Sequence, residues 1–141
     1  MILAYVPKYF KLEEFLPKEI FSKLMPETMW KGYMMLDERM LRHADHCREA
    51  FGPLTINNWS TGGSRNESGL RVPGMKNYSQ YSQHSFGRAF DCVSSTKTGE
   101  QMRQFILANK KDFPYVTRME IGTSWLHSDC GNAEPITMVN A

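Results

Sequence analysis

A chain of 141 residues, 41% hydrophobic and 23% charged, suits one compact globular domain and excludes a disordered or low-complexity protein. Its formal charge of +2 arises from basic residues scattered among acids, with no basic run to track a phosphate backbone, so nucleic acid is not an expected partner. No stretch reaches the roughly 18 apolar residues of a membrane span, which excludes membrane insertion.

The apolar opening, Met1 to Val6, stops at Pro7 and Lys8, too soon for a signal-peptide core, so cytoplasmic synthesis without export is expected. No repeat or linker divides the chain, which is expected to form a single, monomeric domain over 1–141, with a helical N-terminal segment (1–36) packed on a core (37–141). Between Phe10 and Leu24 the apolar residues Leu12, Phe15, Leu16, Ile20, Phe21 and Leu24, interrupted by Pro17, predict short helical pieces.

From Asp37 to Phe51, Met40, Ala44, Cys47 and Phe51 recur at helical spacing, while Glu38, Arg39, Arg42, Asp45, Arg48 and Glu49 fill the other faces. Asp37 is the expected cap, and Gly52-Pro53 the stop. His43 and His46 sit toward the edge of this stripe; with Cys47 they lack a distant partner for a metal, so packing and solvation account for them. A second helix starts at Thr98, which has capping-box spacing to Gln101 and offers Met102, Phe105, Ile106 and Leu107 as its buried side.

Four β-favouring runs, Leu54–Trp59, Arg88–Val93, Val116–Ile121 and Trp125–Cys130, complete the pattern. The class is therefore α+β, a small antiparallel sheet packed against helices. The Gly-, Ser-, Asn- and Tyr-rich stretch from Ser60 to Gln83 is long for a loop in a compact domain and is expected to wall a binding cleft. Tyr78 and Tyr81 in that loop are expected to meet substrate, and Phe86 and Trp125 to support the core. Cys47, Cys92 and Cys130 are odd in number and widely spaced, which predicts buried free thiols.

The chemistry concentrates in Ser82-Gln83-His84-Ser85-Phe86-Gly87-Arg88-Ala89-Phe90-Asp91. Imidazole and carboxylate are both good zinc ligands, and Gly87 eases a turn between them. A strand arriving at Asp91 sends Ala89 and Asp91 to one face and Phe90 and Cys92 to the other. Trp125-Leu126-His127-Ser128-Asp129 offers a third ligand, His127, on another β-favouring run. Two neutral imidazoles and one carboxylate would hold one zinc ion with a fourth position left for water, the arrangement of catalytic rather than structural sites.

Ser-x-His-x-x-Gly-x-Ala-x-Asp followed downstream by Trp-x-His resembles the zinc D-Ala-D-Ala carboxypeptidase and L-Ala-D-Glu endopeptidase family, whose members include wall carboxypeptidases, dipeptidases and bacteriophage endolysins and which shares its zinc fold with the hedgehog signalling domain. The likeness spans roughly Leu54 to Cys130; the Phe-x-Leu-x-Glu-Phe stretch at Phe10 to Phe15 is similar to the leading segment of phage-type members. The resemblance implies a zinc peptidase acting on peptidoglycan stem peptides, a phage lysin or virion component, with His84, Asp91 and His127 as ligands.

Ser68-Gly69-Leu70-Arg71 resembles the family's Ser-Gly-aromatic-Arg element with leucine in the aromatic position, making Arg71 the implied substrate anchor, Arg65 its reserve, and Ser82 and Tyr81 further substrate contacts. Many members place Glu three residues before the last histidine, where this chain has Ser124. Glu120 resembles the corresponding Glu of phage-type members and is the expected general base. Asp129, two residues from His127 and so on the same strand face, is the rival, or else orients a ligand. The alternative to an enzyme is a zinc-stabilised structural or wall-binding module of the same fold without turnover.

Overall fold

The computed structural model describes residues 4–141; the first three residues of the apolar opening lie outside the described residues. Pro17 breaks the N-terminal segment into a 3-10 turn, Leu12–Glu14, and a short helix α1, Lys18–Phe21, followed by α2, Met29–Met34. Phe10, Leu12, Phe15 and Leu16 are buried in the core, and Ile20, Phe21 and Leu24 pack against it, as their spacing predicts.

Helix α3 runs over Glu38–Phe51, with Asp37 Oδ1 accepting the Arg39 N–H at 2.9 Å and Gly52 closing it at φ 78°. More of this helix is buried than its stripe predicts. Asp45, expected on a solvated face, is 3% exposed, and His43, expected at the edge of the stripe, is 2% exposed. Asp45 is tolerated because the N-terminal segment crosses α3 and supplies donors: the Tyr5 hydroxyl at 2.6 Å and the Lys8 and Tyr9 N–H groups at 2.8 and 3.2 Å. His43 lies between the rings of Phe90 and Phe113, with Nε2 3.4 Å from Cys47 Sγ.

Five strands follow, β1 (Leu54–Thr55), β2 (Ala89–Ser94), β3 (Arg118–Ile121), β4 (Leu126–Asp129) and β5 (Thr137–Asn140), in the spatial order β1-β2-β4-β3-β5. All pairings are antiparallel except β3 with β5, which is parallel. The first β-favouring run is cut short after Thr55, because Trp59 enters a 3-10 turn and donates its indole N–H to the Leu16 carbonyl at 3.0 Å. β5 was not anticipated; it pairs only with β3 and carries no strong alternation of its own.

Phe90 and Cys92 point from β2 into the core, leaving Asp91 on the opposite face. Helix α4, Gly99–Ala108, has the predicted Thr98/Gln101 capping box and buries Met102 and Ile106. Phe105 departs from expectation at 45% exposed, its ring lying edge-on to Phe51 at the margin of the core, while Arg103 on the same helix is 3% exposed. All three cysteines are free and buried. Among the described residues, no helix is long and apolar enough to cross a membrane.

Candidate metal centre

The turn that brings His84 to Asp91 is built locally. Ser82 Oγ accepts the His84 N–H at 3.2 Å and caps a 3-10 turn, Gln83–Phe86. Gly87 then reverses the chain at φ 68°, where a side chain would also collide with the Met35 carbonyl oxygen, and β2 begins two residues later. His127 arrives from β4 as the cross-strand partner of Asp91.

His84 Nε2 and His127 Nδ1 lie 3.4 and 2.8 Å from Asp91 Oδ1. One ligand atom from each residue falls within 4.8 Å of the others, and all three side chains are buried. Among the described residues this is the one such cluster, so His43, His46 and Cys47 form no second one.

The donor set fits one metal ion. His84 Nδ1 sits 2.8 Å from the Gly69 carbonyl oxygen, which can only accept, so Nδ1 carries the proton and Nε2 keeps its lone pair facing Asp91. His127 lies between two carboxylates, Nδ1 toward Asp91 and Nε2 3.0 Å from Asp129 Oδ2. Burial disfavours its imidazolium, yet the hydrogen bonds to Asp129 and Asp91 outweigh that and push its pKa up to about 9. Burial likewise raises the Asp91 carboxyl, but the hydrogen bond from His127 and the close approach of the His84 ring hold it well below the usual carboxylate range. Arg71 and Arg118 each pair with one of the two acids, and His127 bridges both of them.

The Ser68–Arg71 segment is stitched to both ligands. Ser68 O accepts the Asp91 N–H at 2.7 Å, Gly69 O accepts from His84, and the Arg71 N–H donates to His84 O at 3.2 Å. The Arg71 guanidinium donates to Asp91 Oδ2 at 3.1 Å and to the Glu67 carbonyl at 2.7 Å. Thus Arg71 stands at the centre and lines the open cleft above it, together with Arg65, Ser82, Glu120 and Trp125.

Glu120 Oε1 is 3.9 Å from His127 Nε2, with its side chain 27% exposed. Asp129, by contrast, is 1% exposed, and its oxygens accept from His127, from Arg118 Nε at 2.8 Å and from the Gly131 N–H at 3.2 Å. Those bonds, chiefly from His127 and then Arg118, hold its carboxyl low against the opposing effect of burial.

Two aromatic expectations change, those for Phe86 and Trp125. Tyr81 is 78% exposed, and neither it nor Tyr78 lines the cleft. Phe86 and Trp125, expected in the core, are 49% and 36% exposed, and Trp125 forms part of the cleft wall. The polar loop turns Tyr81 outward, whereas the turn before β4 leaves Trp125 beside the ligand it precedes by two residues.

Arg118 and Asn57 were missed. Arg118 shares a strand face with Glu120, a parity readable in the sequence. Asn57 is buried, accepts the Ser68 N–H at 2.9 Å and so fixes the Arg71 segment; no local pattern marks it. No protein-family model, curated protein or solved structure matches the chain.

Proposed function

We propose that this protein is a zinc-dependent peptidase that hydrolyses peptide bonds of peptidoglycan stem peptides, of carboxypeptidase or endopeptidase type. In this reading residues 1–141 form one monomeric catalytic unit, a bacteriophage lysin or virion-associated wall hydrolase that reaches the wall after release or as part of a particle. The observation that carries the reading is the convergence of His84, Asp91 and His127 at an open cleft that His84, Asp91, Glu120 and Arg71 line.

Zinc held by His84, Asp91 and His127 would supply Lewis acidity, polarising a carbonyl and making water nucleophilic near neutral pH. Glu120, partly exposed and 3.9 Å from His127, takes the proton of the attacking water and passes it to the leaving amine. Arg71 grips a peptide carboxylate or the developing oxyanion through its planar fork. Ser82 holds the turn that presents His84 and borders the bound peptide. Asp129 orients His127, since its oxygens are already taken by donors and its side chain does not reach solvent.

Digestion of purified peptidoglycan with the zinc-loaded protein, followed by mass analysis of released fragments, tests the proposal. New amine termini within the stem peptide are expected. Intact stem peptides after prolonged digestion would instead favour a zinc-stabilised module without turnover.

A further inference from the structure

Apart from the metal centre and its neighbours, the most deeply buried cation is Arg103 on α4, 3% exposed. All three of its guanidinium nitrogens donate. Nε donates to Glu100 Oε2 at 2.8 Å, Nη1 to the Trp125 carbonyl at 3.0 Å and to Thr123 Oγ1 at 3.3 Å, and Nη2 to the Thr123 carbonyl at 3.0 Å.

The same helix end takes the carbonyl between them. The Gly99 N–H donates to Ser124 O at 3.3 Å, and a side chain on Gly99 would stand 2.6 Å from Trp125 O and 2.8 Å from Ser124 O. Three consecutive carbonyls, of Thr123, Ser124 and Trp125, are therefore received by the first turns of α4, whose free N–H groups and positive dipole end favour them.

These carbonyls belong to the segment joining Glu120 to His127. The β3–β4 ladder stops at Met119 and Ser128, one pair short of Glu120 and His127. Beyond it, Glu120 and Ile121 are held by β5 through Val139 and Asn140, but residues 122–125 have no strand partner. Their anchor is α4, and the side chain they deliver to the cleft wall is Trp125.

We infer that Arg103 is a positioning residue that fixes the Thr123–Trp125 turn and so holds the Trp125 indole in the substrate cleft. Lysine cannot replace it, because one ammonium cannot meet two carbonyls, a hydroxyl and a carboxylate spread around a planar fork. Glu120 has a separate anchor in β5, so loss of the Arg103 fork loosens the binding wall more than the proton-transfer group. The kinetic part of this inference rests on the peptidase reading; the placement of Trp125 does not.

The test uses zinc-loaded protein labelled with 5-fluorotryptophan, whose three fluorine resonances report Trp30, Trp59 and Trp125, with Trp125→Phe identifying the last. Arg103→Lys and the milder Thr123→Val, which keeps the guanidinium but deletes the hydroxyl, are compared with the parent on a soluble stem pentapeptide. In both, the Trp125 resonance is expected to shift or broaden while the Trp30 and Trp59 signals stay, and bound zinc is retained. In Arg103→Lys, KM rises about ten-fold with kcat within about three-fold, since uniform binding rather than chemistry is lost.

An unmoved Trp125 resonance in both variants overturns the inference, as does a fall in kcat at unchanged KM. Should Arg103→Lys fail to fold, Thr123→Val decides through the fluorine signal. If the parent cleaves no stem peptide, the peptidase reading fails while the fluorine signal still judges Arg103.

Discussion

His127 Nε2 and Asp129 Oδ2 lie 3.0 Å apart on β4, and Arg118 closes on the same Asp129 oxygen from β3 at 2.8 Å. The carboxylate therefore fixes the rotation of a ring whose other nitrogen faces Asp91. Purified protein is expected to hold about one zinc per chain, and His84→Ala to abolish that stoichiometry. Asp129→Asn keeps all three ligands but weakens zinc roughly 10- to 100-fold in competition with a chromogenic chelator, the usual cost of losing a ligand's orienting partner. Parental affinity in Asp129→Asn would remove the orienting role.

Glu120 contributes no ligand atom to the cluster, yet lies at its edge. Glu120→Gln is expected to bind zinc like the parent and to lose roughly 100-fold or more in kcat, the scale of general-base catalysis. Retained turnover would move the proton to another group.

Arg71 donates to Asp91 and to two backbone carbonyls, which fixes its fork and leaves one N–H on each terminal nitrogen for substrate. Arg71→Lys is expected to keep zinc but to reduce kcat/KM by about 100-fold, because lysine retains the charge and loses the two-pronged grip. An unchanged kcat/KM would take Arg71 out of the substrate site.

His43 provides a pH signature independent of the metal. Burial, aided by the neighbouring His46, pushes its pKa down from 6.5 to about 3. In the unfolded chain it takes up a proton near pH 6.5 that the folded chain refuses. The stability due to neutral His43 is thus complete above that pH and is lost as pH falls from about 6.5 toward 3. Urea unfolding of the metal-free protein is expected to show a drop of roughly 1 to 2 kcal/mol between pH 6.5 and 5, flattened in His43→Leu. A limb equally steep in His43→Leu would assign the drop to other groups.

Short-range features were legible along the chain. The Asp37 cap and Thr98 capping box stand where the residue types place them, and strand parity separates Asp91 from Phe90 and Cys92. The ten-residue Ser82–Asp91 motif encodes its own turn, because Ser82, His84 and Gly87 interact within a few residues of one another. Burial of Asp45 was not legible, since its donors come from Tyr5, Lys8 and Tyr9, which approach only when the N-terminal segment folds across α3. Nor was the place of Trp125 in the cleft wall, as aromatic character does not say whether a ring packs in the core or lines a cleft.

Residue type and spacing were enough to nominate two imidazoles and a carboxylate, because ligand chemistry belongs to single side chains. Their meeting required the β2–β4 register that sets Asp91 opposite His127, 36 residues away, and the α4 and β5 contacts that hold Glu120 and Trp125 beside them. Those are long-range pairings, and the energy that selects one register over another comes from packing the whole sheet against its helices rather than from any local run of residues.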